Sequence, residues 1–447
     1  MRRLSAYIAQ AGTRRLPPEV AEKTKHHILD TIAAMVSGAP LLPGRKGIAY
    51  VKTLGGTKEA CVIGSRIVTT AAHAALANGM SAHADETDDS HAPSLTHPGC
   101  GIVPAALAVA ERLGKGGEAM LRAVALGYDI CARLTMSLNA YEFREDGHST
   151  HSFGPMFGAA AAAGALFGFN DQKVRYLLSY TAQQASGLSC WMRDEEHIEK
   201  AFDFGGMPAR NGVFAATMVA QGFSGVEDVL SGERSFYVAY GRDPKPEVLV
   251  QGLGEDFEIL RTNIKRWSVG SPIQAPLDSL ALLVKDGLKA HQVEKLVVRV
   301  AHQGANTTNN RDMPDICMQH LCAVMLLDGT VTFRSSHDEK RMRHPKVLAL
   351  RRRIELHGDD QLTRAMPSRQ GIVEVILKDG RTLRHHTTAV RGTAENPMSR
   401  AEVDVKSYDL VAPVAGKGRA RKLCDSIWQL ERLADVRKLR PLLQEKQ

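Results

Sequence analysis

Ser81-Ala82-His83-Ala84-Asp85-Glu86-Thr87-Asp88-Asp89-Ser90-His91, followed by Thr96-His97-Pro98-Gly99 and the apolar run Ile102 to Ala110, is the stretch on which the reading of this chain turns. It packs four carboxylates and three imidazoles into fifteen residues, and an apolar segment begins straight after them. Apolar residues in that density predict a buried helix, so the charged cluster is drawn against a core instead of spreading over a surface. Pro104 is predicted to enter the helix in its first turn, where its missing N–H goes unused. The preceding loop then lies at the positive end of the helix dipole, which favours anions. Two plainer readings compete. A hydrated acidic loop whose histidines cap neighbouring backbone is one. A metal site is the other, since His83, Asp85, Asp88, Asp89 and His91 are all hard or borderline ligands. They lack a spacing such as H-E-x-x-H, so no metal is expected.

Beyond this stretch, 447 residues exceed one ordinary core, and two domains are the default. The formal charge of +8 is concentrated late, in Lys340 to Arg353 and Arg419 to Arg440. Those runs alternate with leucine at helical spacing and carry no interleaved stacking aromatics, which argues for solvated helix faces and against nucleic acid. A positive field still favours capture of small anions. The seven cysteines are scattered and odd in number, against a disulfide framework and for a reducing compartment. Cys317 and Cys322 have no third cysteine at iron–sulfur spacing. Met1 to Thr13 holds no long apolar run and Ala159 to Ala165 is too short to span a bilayer, so no membrane partner and a cytoplasmic address are expected.

Helical periodicity marks Glu19 to Ser37 after Pro17-Pro18, Ala71 to Met80, Glu118 to Met136 and Tyr176 to Ser189. His148 and His151 lie in a loop before the small-residue run Gly158 to Gly164, which lets helix backbones approach closely and would hold that loop firmly. A charged turn, Asp194 to Lys200, leads into Gly205-Gly206 and another Ala-rich helix. Around residue 255 the pattern changes. Val293 to Arg299 alternates, and Gly371 to Leu377 and Arg381 to His386 flank Lys378-Asp379-Gly380, a strong hairpin signal. Leu277 to Leu288 and Met318 to Leu327 read as helices, and Ser399 as the cap of a final return to helix. The expected fold is mainly α: a large helical domain from 1–262, with 397–447 returning to it, and a smaller inserted α+β lid domain, 263–396.

These blocks resemble the MmgE/PrpD family. The family's H-x-x-D-x-D-D segment, His-Pro pair and P-A-x-L-A-x-A-E helix are matched by His83, Glu86, Asp88 and Asp89, by His97-Pro98, and by Pro104 to Glu111. Its H-x-T segment is matched by His148 and Thr150, with His151 as the alternative nearer the Gly158 helix. Its lysine before a Gly- and Ala-rich helix and G-F-T-G turn is matched by Lys200, Gly222-Phe223-Ser224-Gly225, and its lid lysine by Lys265. The chain departs at Glu86, where the family has Asp, at Gly270 and Gln274, where members show His, and at His320, where the decarboxylases show Tyr.

The resemblance implies a lyase that needs no metal or organic cofactor and acts on a small carboxylate substrate. Dehydration of a hydroxy di- or tricarboxylate, 2-methylcitrate-like, is the first expectation. Epimerisation or decarboxylation of a related polycarboxylate, and noncatalytic carboxylate binding, are the alternatives. His97 and His148 are the expected proton carriers, with Lys200 as a catalytic cation and Asp88 or Glu86 orienting a histidine or sharing the proton. Lys265, Ser90, Gln274, His320 and His151 are expected at the substrate. The resemblance also implies a homodimer.

Overall fold

In the computed structural model, residues 1–445 are described; the last two residues of the expected 397–447 return lie outside the described residues. The chain is mainly α and divides into two units. One comprises Met1–Ala84, Asp88–Thr262 and the chain from Val403 onward; the other comprises Asp85–Thr87 and Asn263–Glu402.

The first unit is built from helices whose small residues set how close they come. Pro18–Gly38 starts with proline where no N–H is needed. Ala71–Ala82 follows Thr70, whose hydroxyl accepts the His73 N–H. Pro98–Leu113 begins at Pro98, not at Pro104 as the sequence suggested. Pro98 already supplies the donor-free N1 residue, and Pro104 is carried inside the helix, buried, at the loss of one backbone bond. Gly117–Ser137 and Thr150–Phe167 cross at Gly127 and Gly158, where a Cβ on Gly158 would stand 2.5 Å from the Gly127 carbonyl oxygen. The expected close approach of that small-residue run is therefore real, and any side chain at Gly158 would push the two helices apart. Asp171–Gln183 ends six residues before the expected Ser189; beyond it Gly187 turns the chain at φ +134° ahead of a short 3₁₀ turn, Ser189–Arg193.

Ile198–Ala201 and Met207–Ala220 are joined by a π turn, Phe202–Gly206. Its Gly205 lies so near Ala71–Ala82 that a Cβ would meet the Gly79 carbonyl oxygen at 2.1 Å. A small hairpin pairs β1 (Ala60–Cys61) with β2 (Val68–Thr69). The C-terminal return, Arg400–Ala415, opens on Ser399 as expected: the Ser399 N–H donates to Glu402 Oε2 at 2.8 Å, and the Glu402 N–H donates to Ser399 Oγ at 3.3 Å. Further along, Lys406 reaches the fully buried Asp30. Burial pushes the Asp30 carboxyl up to about 6, against the lowering effect of the Lys406 charge.

The second unit has a four-stranded sheet, order β4-β3-β5-β6. Strand β3 (Val293–Val300) runs antiparallel to β5 (Gly371–Leu377) and parallel to β4 (Ile354–Gly358), and β5 and β6 (Thr382–Thr387) form the hairpin read from Asp379-Gly380. Strand β4 was not legible: it is five residues long and partners β3 across more than fifty residues of chain. Leu296, Val298, Val373 and Val375 pack with Leu277 and Leu280 of Gln274–Lys285 and with Met318, Leu321 and Val324 of Met318–Asp328. Among the described residues no helix is long and apolar enough to cross a membrane.

Candidate active site

The site grows from the start of helix Pro98–Leu113. Asp89, fully buried, is the anchor: its carboxylate accepts the Gly99 N–H at 2.9 Å, the Tyr128 hydroxyl at 2.6 Å and His27 Nδ1 at 2.7 Å. Three charge-assisted bonds are what make a buried carboxylate tolerable. Burial pushes His27 down to about 4, so its imidazole is neutral and donates its one N–H to Asp89.

With Asp89 tied into the helices, Asp88 serves the histidines. Its Oδ2 stands 2.9 Å from His83 Nδ1 and its Oδ1 3.1 Å from His97 Nδ1. Burial alone would raise the Asp88 carboxyl, but the charges and hydrogen bonds of His83 and His97 outweigh it and hold the group well below the usual carboxylate range. One ionised carboxylate thus fixes the orientation and tautomer of two rings. Among the described residues, His83, Asp88 and His97 also offer ligand atoms that all lie within 4.8 Å of one another, a spacing that could hold a metal ion. An ion bound through Nδ1 would have to replace the protons now shared with Asp88.

The π turn supplies the wall. Phe204 lies with its ring centroid 4.3 Å from His83 and 3.8 Å from His151, both stacked, and 4.7 Å from Trp191 edge-on. His97 sits 5.2 Å from His151, and His197 5.2 Å from His83. Lys200 Nζ lies 5.3 Å from the Phe204 centroid and 5.5 Å from that of Trp191, within cation–π range. Burial, with the charges of His97 and His83, pushes His151 well below the ordinary histidine range, so it is neutral. His83 Nε2, His151 Nδ1 and Trp191 Nε1 are buried and have no hydrogen-bond partner among the described residues. Three such nitrogens on rings that share one phenylalanine form a polar face rather than a packing defect. The same π turn carries Asp203, which takes the Ser149 hydroxyl hydrogen bond and which burial pushes up to about 7.

Of the residues expected from sequence, His97, Asp88, His151 and Lys200 come together, joined by His83. His148 does not. It stacks 4.5 Å from Phe143, meets Phe153 and Tyr240 edge-on, and its backbone bridges to Leu188. It precedes the helix in extended chain, whereas His151 stands in the first turn of Thr150–Phe167 and reaches Phe204. His151→Ala is therefore expected to lower turnover by about 10²-fold, the scale of one proton-transfer group. His148→Ala is expected to spare turnover and lower the melting temperature, which paired kinetic and thermal unfolding measurements check.

Other expected residues lie in the second unit. Lys265 donates to the Glu86 carbonyl oxygen at 2.8 Å, with Glu86 Oε2 at 3.6 Å. The Gln274 carboxamide is spent on backbone: it accepts the Trp267 N–H at 3.1 Å and donates to the Trp267 and Val269 carbonyls at 2.8 and 3.0 Å. It shapes that turn instead of facing a ligand. His320 is fully buried in helix Met318–Asp328, and burial pushes it down to about 4. In the first unit, Ser90 is partly buried beside Asp89. Asp85, a residue of the second unit, pairs with His337 at 2.9 Å. Burial opposes the His337 charge, but the Asp85 hydrogen bond and charge raise it to about 9.

Sequence reasoning missed Phe204, Trp191, His197, Asp203 and His337. His83 was in view in the charged loop but received no role. Nothing local to Phe204 marks it; its importance comes from which rings fold against it.

The helical unit thus holds a buried carboxylate–imidazole cluster beside the Lys200 side chain. The chain belongs to the MmgE/PrpD family: the family's N-terminal domain matches residues 2–249 and its C-terminal domain residues 267–431. It is 24% identical to the cis-aconitate decarboxylase of Aspergillus terreus, over 98% of this chain and 94% of that protein. It is 25% identical to the cis-aconitate decarboxylase-like protein oryM of Aspergillus oryzae, over 66% of this chain and 63% of that protein.

Proposed function

We propose that the protein is a lyase acting on a small polycarboxylate. The observation that carries this reading is Asp88 holding two imidazoles at once, His83 and His97, beside a neutral His151 and the Lys200 ammonium. Elimination of water across a carbon–carbon bond needs a base on a C–H beside a carboxylate, an acid for the departing hydroxyl and a cation for the charge that develops. Neutral His151 is the base, and His97, whose protonated form the Asp88 carboxylate stabilises, is the acid. Lys200 stabilises the enolate-like charge, and Lys265 takes a substrate carboxylate. In the step, the proton leaves the carbon for one imidazole, the C–H electron pair becomes the new double bond, and the hydroxyl leaves as water with the proton of the other. A 2-methylcitrate-like hydroxy tricarboxylate is the substrate class.

A second reading, decarboxylation, is favoured by the full-length similarity to cis-aconitate decarboxylases. It needs one proton donor and the same cations, with carbon dioxide leaving and a proton taking its place on carbon. Incubation with citrate, 2-methylcitrate and cis-aconitate separates the two: a new conjugated double bond with no gas marks dehydration, and carbon dioxide from cis-aconitate marks decarboxylation. No change in any of the three would sink both.

A further inference from the structure

His337 has no place in the chemistry just described, yet it is held from both sides. Its Nε2 stands 2.9 Å from Asp85 Oδ2, an ion-pair contact, and its Nδ1 lies 2.8 Å from the Phe333 carbonyl oxygen and 3.0 Å from Ser336 Oγ. A carbonyl and a carboxylate only accept hydrogen bonds. The Phe333 carbonyl takes the Nδ1–H, and the Asp85 carboxylate beside Nε2 holds the ring in its charged form, an imidazolium facing Asp85. Its base is stiff. The short turn Phe333–Ser336 is closed by a reciprocal pair, Ser335 N–H to Thr332 Oγ1 at 3.2 Å and Thr332 N–H to Ser335 Oγ at 2.9 Å.

Asp85 passes the constraint on. Its Oδ1 accepts the Thr87 N–H at 3.0 Å and its Oδ2 the Thr87 hydroxyl at 2.7 Å, a turn closed by the aspartate's own side chain. That turn presents the Glu86 carbonyl oxygen to Lys265 Nζ. Asp85, Glu86 and Lys265 are 5%, 8% and 4% exposed, so each charge is buried and its partner is obligatory.

We propose that His337 is a positioning residue: by clamping Asp85 it fixes the 85–87 turn, and the turn sets the Lys265 ammonium. The consequence for ligand rests on the lyase reading, in which Lys265 takes a substrate carboxylate. His337 touches no reacting atom. Its loss leaves Asp85 buried without a counter-charge, frees the turn and moves the ammonium, which weakens ground-state binding and leaves the proton-transfer step intact.

The test compares His337→Gln, which removes the charge, His337→Lys, which returns it, and the double variant Asp85→Asn with His337→Gln, which removes both charges together. Each is read three ways: hydrogen exchange of the peptide spanning 83–91, calorimetric affinity for cis-aconitate and citrate, and steady-state kinetics on the substrate that turns over. For His337→Gln the expected results are faster exchange, affinity weakened and KM raised by about tenfold, and kcat within about threefold of the parent. His337→Lys is expected to recover most of the loss. The double variant is expected to be less impaired than the sum of its parts, because no charge is stranded. Unchanged exchange in His337→Gln overturns the clamp. Faster exchange with unchanged affinity and KM, or a fall in kcat at constant KM, overturns the link to Lys265. A parent protein that neither binds nor converts a polycarboxylate overturns the lyase reading and the ligand role of Lys265 with it, while the exchange data still decide the clamp.

Discussion

Asp88→Asn is expected to lower turnover on the preferred polycarboxylate by about 10²–10⁴-fold, the range for losing a positioned acid–base group. The change is nearly isosteric, so the effect is electronic. The carboxylate accepts from His83 Nδ1 and His97 Nδ1 together. An amide accepts at its oxygen and donates at its nitrogen, so one of the two imidazoles must give up its Nδ1–H and turn its lone pair toward the new N–H. That ring then presents the wrong nitrogen to substrate, and neither ring has an anion to stabilise it when it takes up a proton. Since Asp88 also satisfies two buried partners, thermal unfolding must be recorded beside the kinetics. A variant folded to the parent's melting temperature and retaining full turnover would remove Asp88 from the mechanism.

Asp203→Asn is expected to change how stability depends on pH. Burial pushes Asp203 up to about 7 from 3.8, against the lowering effect of the Ser149 hydrogen bond. Between those two values the folded chain keeps a proton that the unfolded chain has already released. The unfolded state binds fewer protons there, so stability falls as pH rises, by about 1.4 kcal/mol per pH unit and about 4 kcal/mol across the window. The loss is complete once pH passes about 7, and the full stability is present below 3.8. Asparagine has no proton to lose, so the variant is expected to show a flatter profile and a gain over the parent near neutrality. Urea midpoints measured on either side of that window's upper edge, one mildly acidic and one mildly alkaline, check the sign. Parallel profiles for parent and variant would mean that Asp203 ionises as readily folded as unfolded. Asp203 sits one position before Phe204, in the π turn that sets the aromatic wall.

The two effects come from opposite treatments of a buried carboxylate. Asp88 has two imidazole partners and stays ionised, whereas Asp203 has a hydroxyl donor and is driven toward its neutral form. Burial alone does not decide charge; the partners do.

Residue order was sufficient for the parts that depend on neighbours along the chain. The helices around Pro18–Gly38, Ala71–Ala82 and Gly117–Ser137, the Asp379-Gly380 hairpin and the Ser399 cap were legible because periodicity, turn chemistry and capping act over a few residues. The density of carboxylates and imidazoles at 83–97 marked the charged loop, and His97 and Asp88 within it, for the same reason. Whatever rests on distant residues came from the folded chain alone. It passed over His148 for His151, because one turn of helix and a phenylalanine on a remote π turn choose which imidazole meets His97. It turned Gln274 onto its own backbone and gave Asp85 to His337. It also moved the helix start from Pro104 to Pro98, since either proline suits a first turn and the Asp89 carboxylate, held by His27 and Tyr128, takes the Gly99 N–H. Local preference limits what each segment can form; which side chains share a buried charge is set by packing between segments far apart in the chain.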